Sequence, residues 1–145
     1  MDFTTAMKIS GSALKAERSR INIASMNLAN ANTTRTVEGG PYRAKSVVFQ
    51  AKAVEPESFQ AVMGSADRRL RQVEVAQVVD DPTPFKEVYD PTHPDADENG
   101  IVRMPNVNVV EQMTDLMSAR RDYDANVTAL DSVKTMALRA LDISR

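Results

Sequence analysis

The sequence predicts an α+β fold in which long N- and C-terminal helices form an antiparallel, coiled-coil-like pair beside a small β-rich middle module. Near both ends of the chain, apolar residues recur at alternating steps of three and four, which is the spacing of a helical seam. The stretch between them contains Gly, Pro and alternating β-branched residues, which favour strands and turns. We therefore expect a terminal helical domain of residues 1–34 and 106–145 and a middle module of residues 35–105.

The N-terminal helix carries the first predicted seam, which polar Ser10 and Glu17 interrupt. The apolar members of this seam are Phe3, Met7, Leu14, Ile21 and Leu28. From Asn27 to Thr34 the chain is rich in Asn and Thr, whose side chains bind nearby backbone groups and disfavour helix interiors. The helix should therefore end in this stretch.

The C-terminal helix is expected to begin after Asn108, an N-cap candidate with Glu111 three residues later. No Gly or Pro follows Pro105, so about 35 helical residues can run for roughly 50 Å. Arg120 and Lys134 interrupt the seam, which argues against a dry two-stranded zipper. The apolar seam residues are Met113, Leu116, Tyr123, Val127, Leu130 and Leu141. A helix of this length indicates lateral contact with other helices.

The middle module contains four predicted strands, at residues 42–50, 71–79, 85–89 and 101–104. The last two flank a Pro-containing loop that ends in the Asn99–Gly100 turn signal. Residues 51–65 have no clear strand or helix pattern. A module of this kind is too small to enclose a deep pocket, so no small-molecule substrate is expected.

Composition excludes several classes of function. The chain has 18 Lys and Arg against 20 Asp and Glu, which gives a net charge of −2 and makes nucleic acid a poor candidate partner. With no Cys and a single His, thiolate and His-rich metal sites are excluded. No apolar run approaches a membrane span, and no signal peptide pattern is evident at the N-terminus. Export, if it occurs, should therefore not depend on a cleaved signal peptide.

An acidic loop supplies the one candidate cation site. Residues 95–100 fit the first half of an EF-hand calcium loop, with Gly100 at the turn. The second half fails, because Asn106 stands where a bidentate Glu is needed and Arg103 replaces an oxygen ligand. A solvated acidic turn explains the same residues. A calcium-dependent or adaptor-type binding module that uses this loop is the alternative functional hypothesis.

A second set of titratable residues lies in the middle module. It consists of Asp80, Asp81, Glu87, Asp90 and His93. Paired carboxylates can perform acid–base catalysis, but only where a fold brings them together, and the sequence indicates no such fold. We therefore expect no enzymatic activity and no cofactor.

Two stretches of the chain resemble bacterial flagellar rod and hook proteins. Residues 27–34, Asn-Leu-Ala-Asn-Ala-Asn-Thr-Thr, and the following Glu38-Gly39-Gly40-Pro41-Tyr42-Arg43 are similar to the N-terminal signature of that family. Met104-Pro105-Asn106-Val107-Asn108 and the preceding 90–96 loop resemble the proximal rod proteins of the basal body more narrowly. The residues that carry the family motif are Asn27, Ala29, Asn30, Asn32, Thr33, Pro105, Asn106 and Asn108.

The resemblance implies a structural subunit rather than an enzyme. Such a subunit polymerises with other rod proteins and with copies of itself into the hollow periplasmic shaft of the basal body, and it is needed for motility. The resemblance also implies export, without processing, through the flagellar type III apparatus. It implies no catalytic residue, metal or cofactor.

Overall fold

A computed structural model describes residues 3–54 and 70–143, and it confirms the α+β class. Two long terminal helices flank a small set of antiparallel strands. The elements, in chain order, are α1 (Phe3–Ala29), β1 (Lys45–Ala53), β2 (Arg71–Asp80), β3 (Lys86–Tyr89), β4 (Ile101–Met104) and α2 (Val109–Ile143). Most of the stretch 51–65, which has no clear sequence pattern, lies outside the described residues.

The described residues form two compact units, each of which draws on both helices. The first unit holds residues 3–19, 48–54, 70–77 and 119–143, and the second holds residues 20–47 and 78–118. The boundaries proposed from the sequence, at residues 34/35 and 105/106, stay a prediction.

Helix α1 ends at Ala29, within the asparagine-rich stretch where the sequence predicts its end. The Asn30 backbone N–H donates to the Met26 carbonyl at 3.1 Å, and the Asn30 side-chain Nδ2 donates to the same oxygen at 2.9 Å. A side chain that binds a carbonyl of the last turn competes with further helix, as expected for Asn.

Helix α2 begins at Val109, directly after the predicted cap residue. The Asn108 carbonyl accepts a hydrogen bond from the Gln112 N–H at 3.0 Å, which is the first bond of the helix and places Asn108 at the N-cap position. Glu111 contributes negative charge to the first turn, where the helix dipole favours it.

Within the second unit the two helices lie antiparallel. The Arg20 guanidinium pairs with the Asp115 carboxylate, and the Asn27 Nδ2 donates to Gln112 Oε1 at 2.9 Å. Moving from Arg20 to Asn27 along α1 therefore means moving from Asp115 back to Gln112 along α2. This order of contacts is what the predicted antiparallel pair requires.

Among residues 3–54 and 70–143, the strands form two two-stranded sheets. Strand β1 pairs with β2, while β3 pairs antiparallel with β4 in a register that sets Lys86 opposite Met104 and Tyr89 opposite Ile101. Strand β1 starts at Lys45, three residues later than predicted. The reason is that the Tyr42 backbone N–H donates to the Thr33 carbonyl at 3.0 Å, so Tyr42 belongs to the preceding turn.

The core of the second unit is small and lies where the end of α1 meets the start of α2. Tyr42, Ala44 and Val107 are buried together, and Met26 and Ala31 pack against them. In the first unit the buried residues include two alanines, Ala16 on α1 and Ala119 on α2. Within the part of the chain that the structure describes, neither helix has a run of apolar residues long enough to cross a membrane.

Candidate functional site

Asn27, the first residue of the family motif, is the centre of a buried hydrogen-bond network. Its side chain is 1% exposed. Its Nδ2 donates to the Lys45 carbonyl at 2.8 Å and to Gln112 Oε1 at 2.9 Å. Its Oδ1 accepts from the Tyr42 hydroxyl at 2.9 Å and from the Lys45 N–H at 3.0 Å. All four hydrogen-bonding positions of the amide are therefore occupied.

Tyr42 donates its hydroxyl proton into this network. Burial raises the pKa of the Tyr42 hydroxyl above its usual value of 10.0, so the group stays protonated and acts as a donor at any physiological pH. A buried tyrosine normally requires such a partner. Its ring also joins the core formed with Ala44 and Val107.

Asn106 makes a second, equally dense set of contacts before α2. Its Oδ1 accepts from the Ala44 N–H at 2.8 Å, and its Nδ2 donates to Thr83 Oγ1 at 2.8 Å and to the Thr83 carbonyl at 3.1 Å. The preceding Pro105 is fully buried. We call Asn27 and Asn106, with Tyr42, Ala44 and Gln112, the asparagine junction, because they tie the end of α1 to β1 and to the start of α2.

Arg43 reinforces the turn that follows β2. Its Nη1 donates to the Asp81 carbonyl at 2.8 Å and to the Thr83 carbonyl at 3.2 Å, and its guanidinium lies 4.3 Å from the centre of the Phe85 ring. Asp81 Oδ1 accepts from the Thr83 N–H at 2.8 Å, and hydrogen bonding to Thr83 lowers the pKa of the Asp81 carboxyl below 3.8. The turn therefore presents a fixed set of carbonyls to Asn106 and Arg43.

The remaining motif residues shape the turn after α1. Thr33 Oγ1 donates to Asn30 Oδ1 at 3.2 Å, and the Thr33 N–H donates to the Asn30 carbonyl at 3.1 Å. Ala29 and Asn32 are exposed. Asn108 is also exposed, and its carbonyl accepts the first hydrogen bond of α2.

The acidic loop does not assemble a calcium site. Asp97 Oδ1 accepts two backbone N–H groups, from Asn99 and Ile101, each at 2.9 Å. Asp95 Oδ2 accepts from the Thr34 hydroxyl at 2.7 Å. Among the described residues, no group of three His, Cys, Asp or Glu side chains could hold a metal ion. The carboxylates stabilise the loop, and nothing in these residues supports the calcium alternative.

Gly100 has a local structural role in the same loop. Its backbone φ of +73° is one that residues with a side chain rarely adopt. A Cβ built there would lie 3.1 Å from side-chain atoms of Tyr89 and Pro91. The Asp90 N–H donates to the Gly100 carbonyl at 2.9 Å, which closes the β3–β4 connection. The glycine that resembles part of an EF-hand is therefore explained by the turn.

The predicted seam residues of α1 fall into two groups. Leu14, Ile21 and Leu28 are half-buried within the subunit, whereas Phe3 and Met7 near the start of the helix are exposed. The half-buried members contact their own chain, and the exposed members leave apolar surface on the outside. Their role in assembly stays a prediction.

The predicted seam of α2 is divided in the same way. Leu116, Tyr123 and Leu130 are half-buried, while Met113, Val127 and Leu141 are exposed. The described residues of α2 that are covered by the subunit itself also include Ala119, Asn126 and Val133, each one position before Arg120, Val127 and Lys134. Ala119 is completely buried.

Helix α2 exposes several large apolar side chains between its charged residues. Met117 is 59% exposed and Met136 is 63% exposed. Other large apolar side chains on the outside of this helix are Val109, Val110, Met113, Val127, Leu138 and Leu141. Single exposed apolar residues are normal on a protein surface, so these residues indicate an interaction surface only where they adjoin one another, as Val110, Met113 and Met117 do at helical spacing.

Comparison with known families matches both ends of the chain. Residues 7–35 match the family described as flagella basal body rod protein, and residues 98–143 match the family described as flagellar basal body rod FlgEFG protein C-terminal. The first segment contains Asn27, Asn30 and Thr33, and the second contains Pro105 and Asn106. The asparagine junction thus draws its two central residues from the two matched segments.

Individual relatives cover nearly the whole chain. The flagellar basal-body rod protein FlgC of Salmonella typhimurium is 46% identical over 137 residues, which is 94% of each chain. FlgC of Bacillus subtilis is 40% identical over 148 residues and 97% of each chain. FlgC of Borreliella burgdorferi is 39% identical over 149 residues, covering 99% of this chain and 98% of the relative.

Proposed function

The chain belongs to the FlgC family of flagellar basal-body rod proteins and is a structural subunit of the rod, and we propose that it polymerises through its terminal helices. The observation that carries this proposal is the 46% identity to a rod protein over 94% of both chains. Membership of the rod implies association with other rod proteins. Copies of the same chain are its further proposed partners.

The exposed apolar residues of the helices support a role in subunit contacts. Met113, Met117 and Met136 lie on the outside of α2. Methionine is flexible and fills irregular contacts, so a surface with several of them can adapt to neighbours in different positions. Many weak contacts of this kind, repeated along a helical assembly, would add up to the stiffness that a hollow drive shaft requires.

The asparagine junction suggests how the subunit transmits load. Asn27 and Asn106 connect α1, β1 and α2 through hydrogen bonds, and these bonds act together with the small apolar core to couple the two helices. We propose that this junction is the rigid part of the subunit. It would set the position at which each helix enters the assembly.

Family membership also supports a route and a location. We propose that the chain passes through the flagellar type III export apparatus and that the rod segment it builds lies in the periplasm. We further propose that it acts without catalysis, since a subunit of a shaft works by its shape and contacts.

Deletion of the gene in the organism that encodes the chain tests the proposal. The deletion strain should be non-motile, and basal bodies purified from it should lack a complete rod and a hook by electron microscopy. Expression of the wild-type chain should restore both. A deletion strain that still builds hooks and swims would contradict the assignment.

A further inference from the structure

The β3–β4 connection contains the dipeptide Asn99–Gly100, and no other asparagine of the chain is followed by glycine. Asn-Gly is the dipeptide that deamidates most readily, because glycine has no side chain to obstruct attack by its backbone nitrogen on the asparagine amide. Asn99 is exposed, and among residues 3–54 and 70–143 its side-chain amide has no hydrogen-bond partner. The amide carbon is therefore open to attack.

Deamidation at this position needs only water as a co-reactant. The Gly100 backbone nitrogen loses its proton and forms a bond to Asn99 Cγ, while the bond from Cγ to Nδ2 breaks and ammonia leaves with a proton. Water then opens the cyclic imide at either of its carbonyl groups. The products are aspartate and isoaspartate at position 99, with no change in oxidation state.

The folded turn restrains the nitrogen that would attack. The Gly100 N–H donates to the Asp97 carbonyl at 2.9 Å, and Gly100 is buried. Asp97 Oδ1 also accepts the N–H groups on either side, from Asn99 and Ile101, each at 2.9 Å. A buried, hydrogen-bonded N–H loses its proton only when the surrounding structure opens. The turn thus exposes the Asn99 side chain but withholds the nucleophile.

We propose that Asn99 is a deamidation site that the folded subunit masks through the turn at Asp97 and that becomes reactive when the chain is unfolded. The inference goes beyond the proposed function and does not depend on it. It assigns Asp97 a role other than cation binding, because its carboxylate and carbonyl hold the backbone on both sides of the reactive bond.

The modification also has a structural consequence. Isoaspartate routes the main chain through the former side chain and adds a methylene group between residues 99 and 100. The Gly100 N–H can then no longer meet the Asp97 carbonyl, and the bond from the Asp90 N–H to the Gly100 carbonyl, 2.9 Å in the folded subunit, is displaced with it. A chain that forms isoaspartate while unfolded should therefore fail to rebuild this turn.

Deamidation of the purified full chain, folded and in urea at the same pH and temperature, tests the proposal. Peptide mass spectrometry measures the rate at each asparagine. Asn99 should react at least about tenfold faster in the unfolded chain, because the folded turn must open first. Asn32, which is followed by Thr33, is the internal control and should react more slowly than Asn99 in urea. Equal rates for Asn99 in the two states, or a faster reaction at Asn32, would overturn the proposal.

Two variants of the same loop test the role of Asp97 in the folded subunit. Asp97→Ala removes the acceptor of two backbone N–H groups and should speed deamidation of Asn99 about fivefold or more. Glu98→Ala removes the same charge from an exposed neighbour and should leave the rate unchanged. Equal rates in the two variants would overturn the masking by Asp97. If Asp97→Ala does not fold, the wild-type comparison between folded and unfolded chains still decides the proposal.

Refolding of chains that carry isoaspartate provides an independent readout. Amide hydrogen exchange should show that Gly100 and Ile101 lose their protection, while the amides of Asn27 and Tyr42 in the asparagine junction keep theirs. Unchanged protection of Gly100 and Ile101 in the modified chain would contradict the structural consequence of the proposal.

Discussion

Asn27 uses every donor and acceptor of its side-chain amide although it is almost completely buried. We expect Asn27→Ala to lower the free energy of unfolding by about 2–4 kcal/mol, because the Lys45 backbone, the Tyr42 hydroxyl and the Gln112 amide would lose their buried partner. Urea unfolding of the purified subunit, followed by circular dichroism, measures the change.

Asn32 supplies the matched control for this variant. It belongs to the same family motif but is exposed. Asn32→Ala should therefore change the free energy of unfolding by no more than about 0.5 kcal/mol. Equal destabilisation by the two variants would show that the motif acts through the turn as a whole rather than through the buried amide.

The contacts of Asn27 could not be predicted from the sequence, although its membership of a family motif could. Its partners Tyr42, Lys45 and Gln112 lie 15, 18 and 85 residues further along the chain. Local patterns carry no information about hydrogen bonds over such separations. The sequence gives one weak indication: Asn27 lies next to the seam residue Leu28, and an Asn that is buried with such a seam needs hydrogen-bond partners.

Helix α2 shows that the period of a helix is easier to predict than its orientation. From Leu116, a step of three leads to Ala119 and a step of four leads to Arg120, and both routes continue through Tyr123 and Leu130. In the subunit the route through Ala119 faces the chain itself, since Ala119 is buried and Arg120 is exposed. Small Ala119 contributes little to a search for large apolar residues, so the sequence pattern does not distinguish the two routes.

Two adjacent substitutions test this orientation. Ala119→Leu should lower the free energy of unfolding by about 1–3 kcal/mol, because it forces a larger side chain into a fully buried position. Arg120→Leu should change it by no more than about 0.5 kcal/mol, since that side chain points away from the subunit. Thermal unfolding of the two purified variants decides the matter. A larger loss for Arg120→Leu would mean that the helix is rotated from the orientation described.

The strands were predicted at nearly the right residues, and the differences at their ends have local causes. Strand β4 coincides with the predicted residues 101–104, because Gly100 and Pro105 mark its two ends in the sequence. Strand β1 starts three residues later than predicted. Tyr42 has a high strand propensity, but its backbone N–H and its hydroxyl donate to Thr33 and Asn27 and not to a neighbouring strand. A tertiary contact overrides the local preference at that position.

For the whole molecule, the α+β class and the two terminal helices were predictable because both ends have a sustained helical period and the middle has strand and turn residues. The grouping of the described residues into two units was not, because each unit combines parts of both helices with residues of the β region. The sequence pattern marks elements, whereas these units depend on contacts between residues far apart in the chain.

We propose that the terminal helices carry the contacts between subunits in the rod. Methionine oxidation by peroxide, quantified by mass spectrometry, compares the free subunit with purified rods directly. Met113, Met117 and Met136 are 48%, 59% and 63% exposed in the subunit and should oxidise readily there. In rods they should be protected at least about tenfold, because contacts that exclude water also exclude peroxide. Equal reactivity of all three methionines in subunits and rods would contradict the claim.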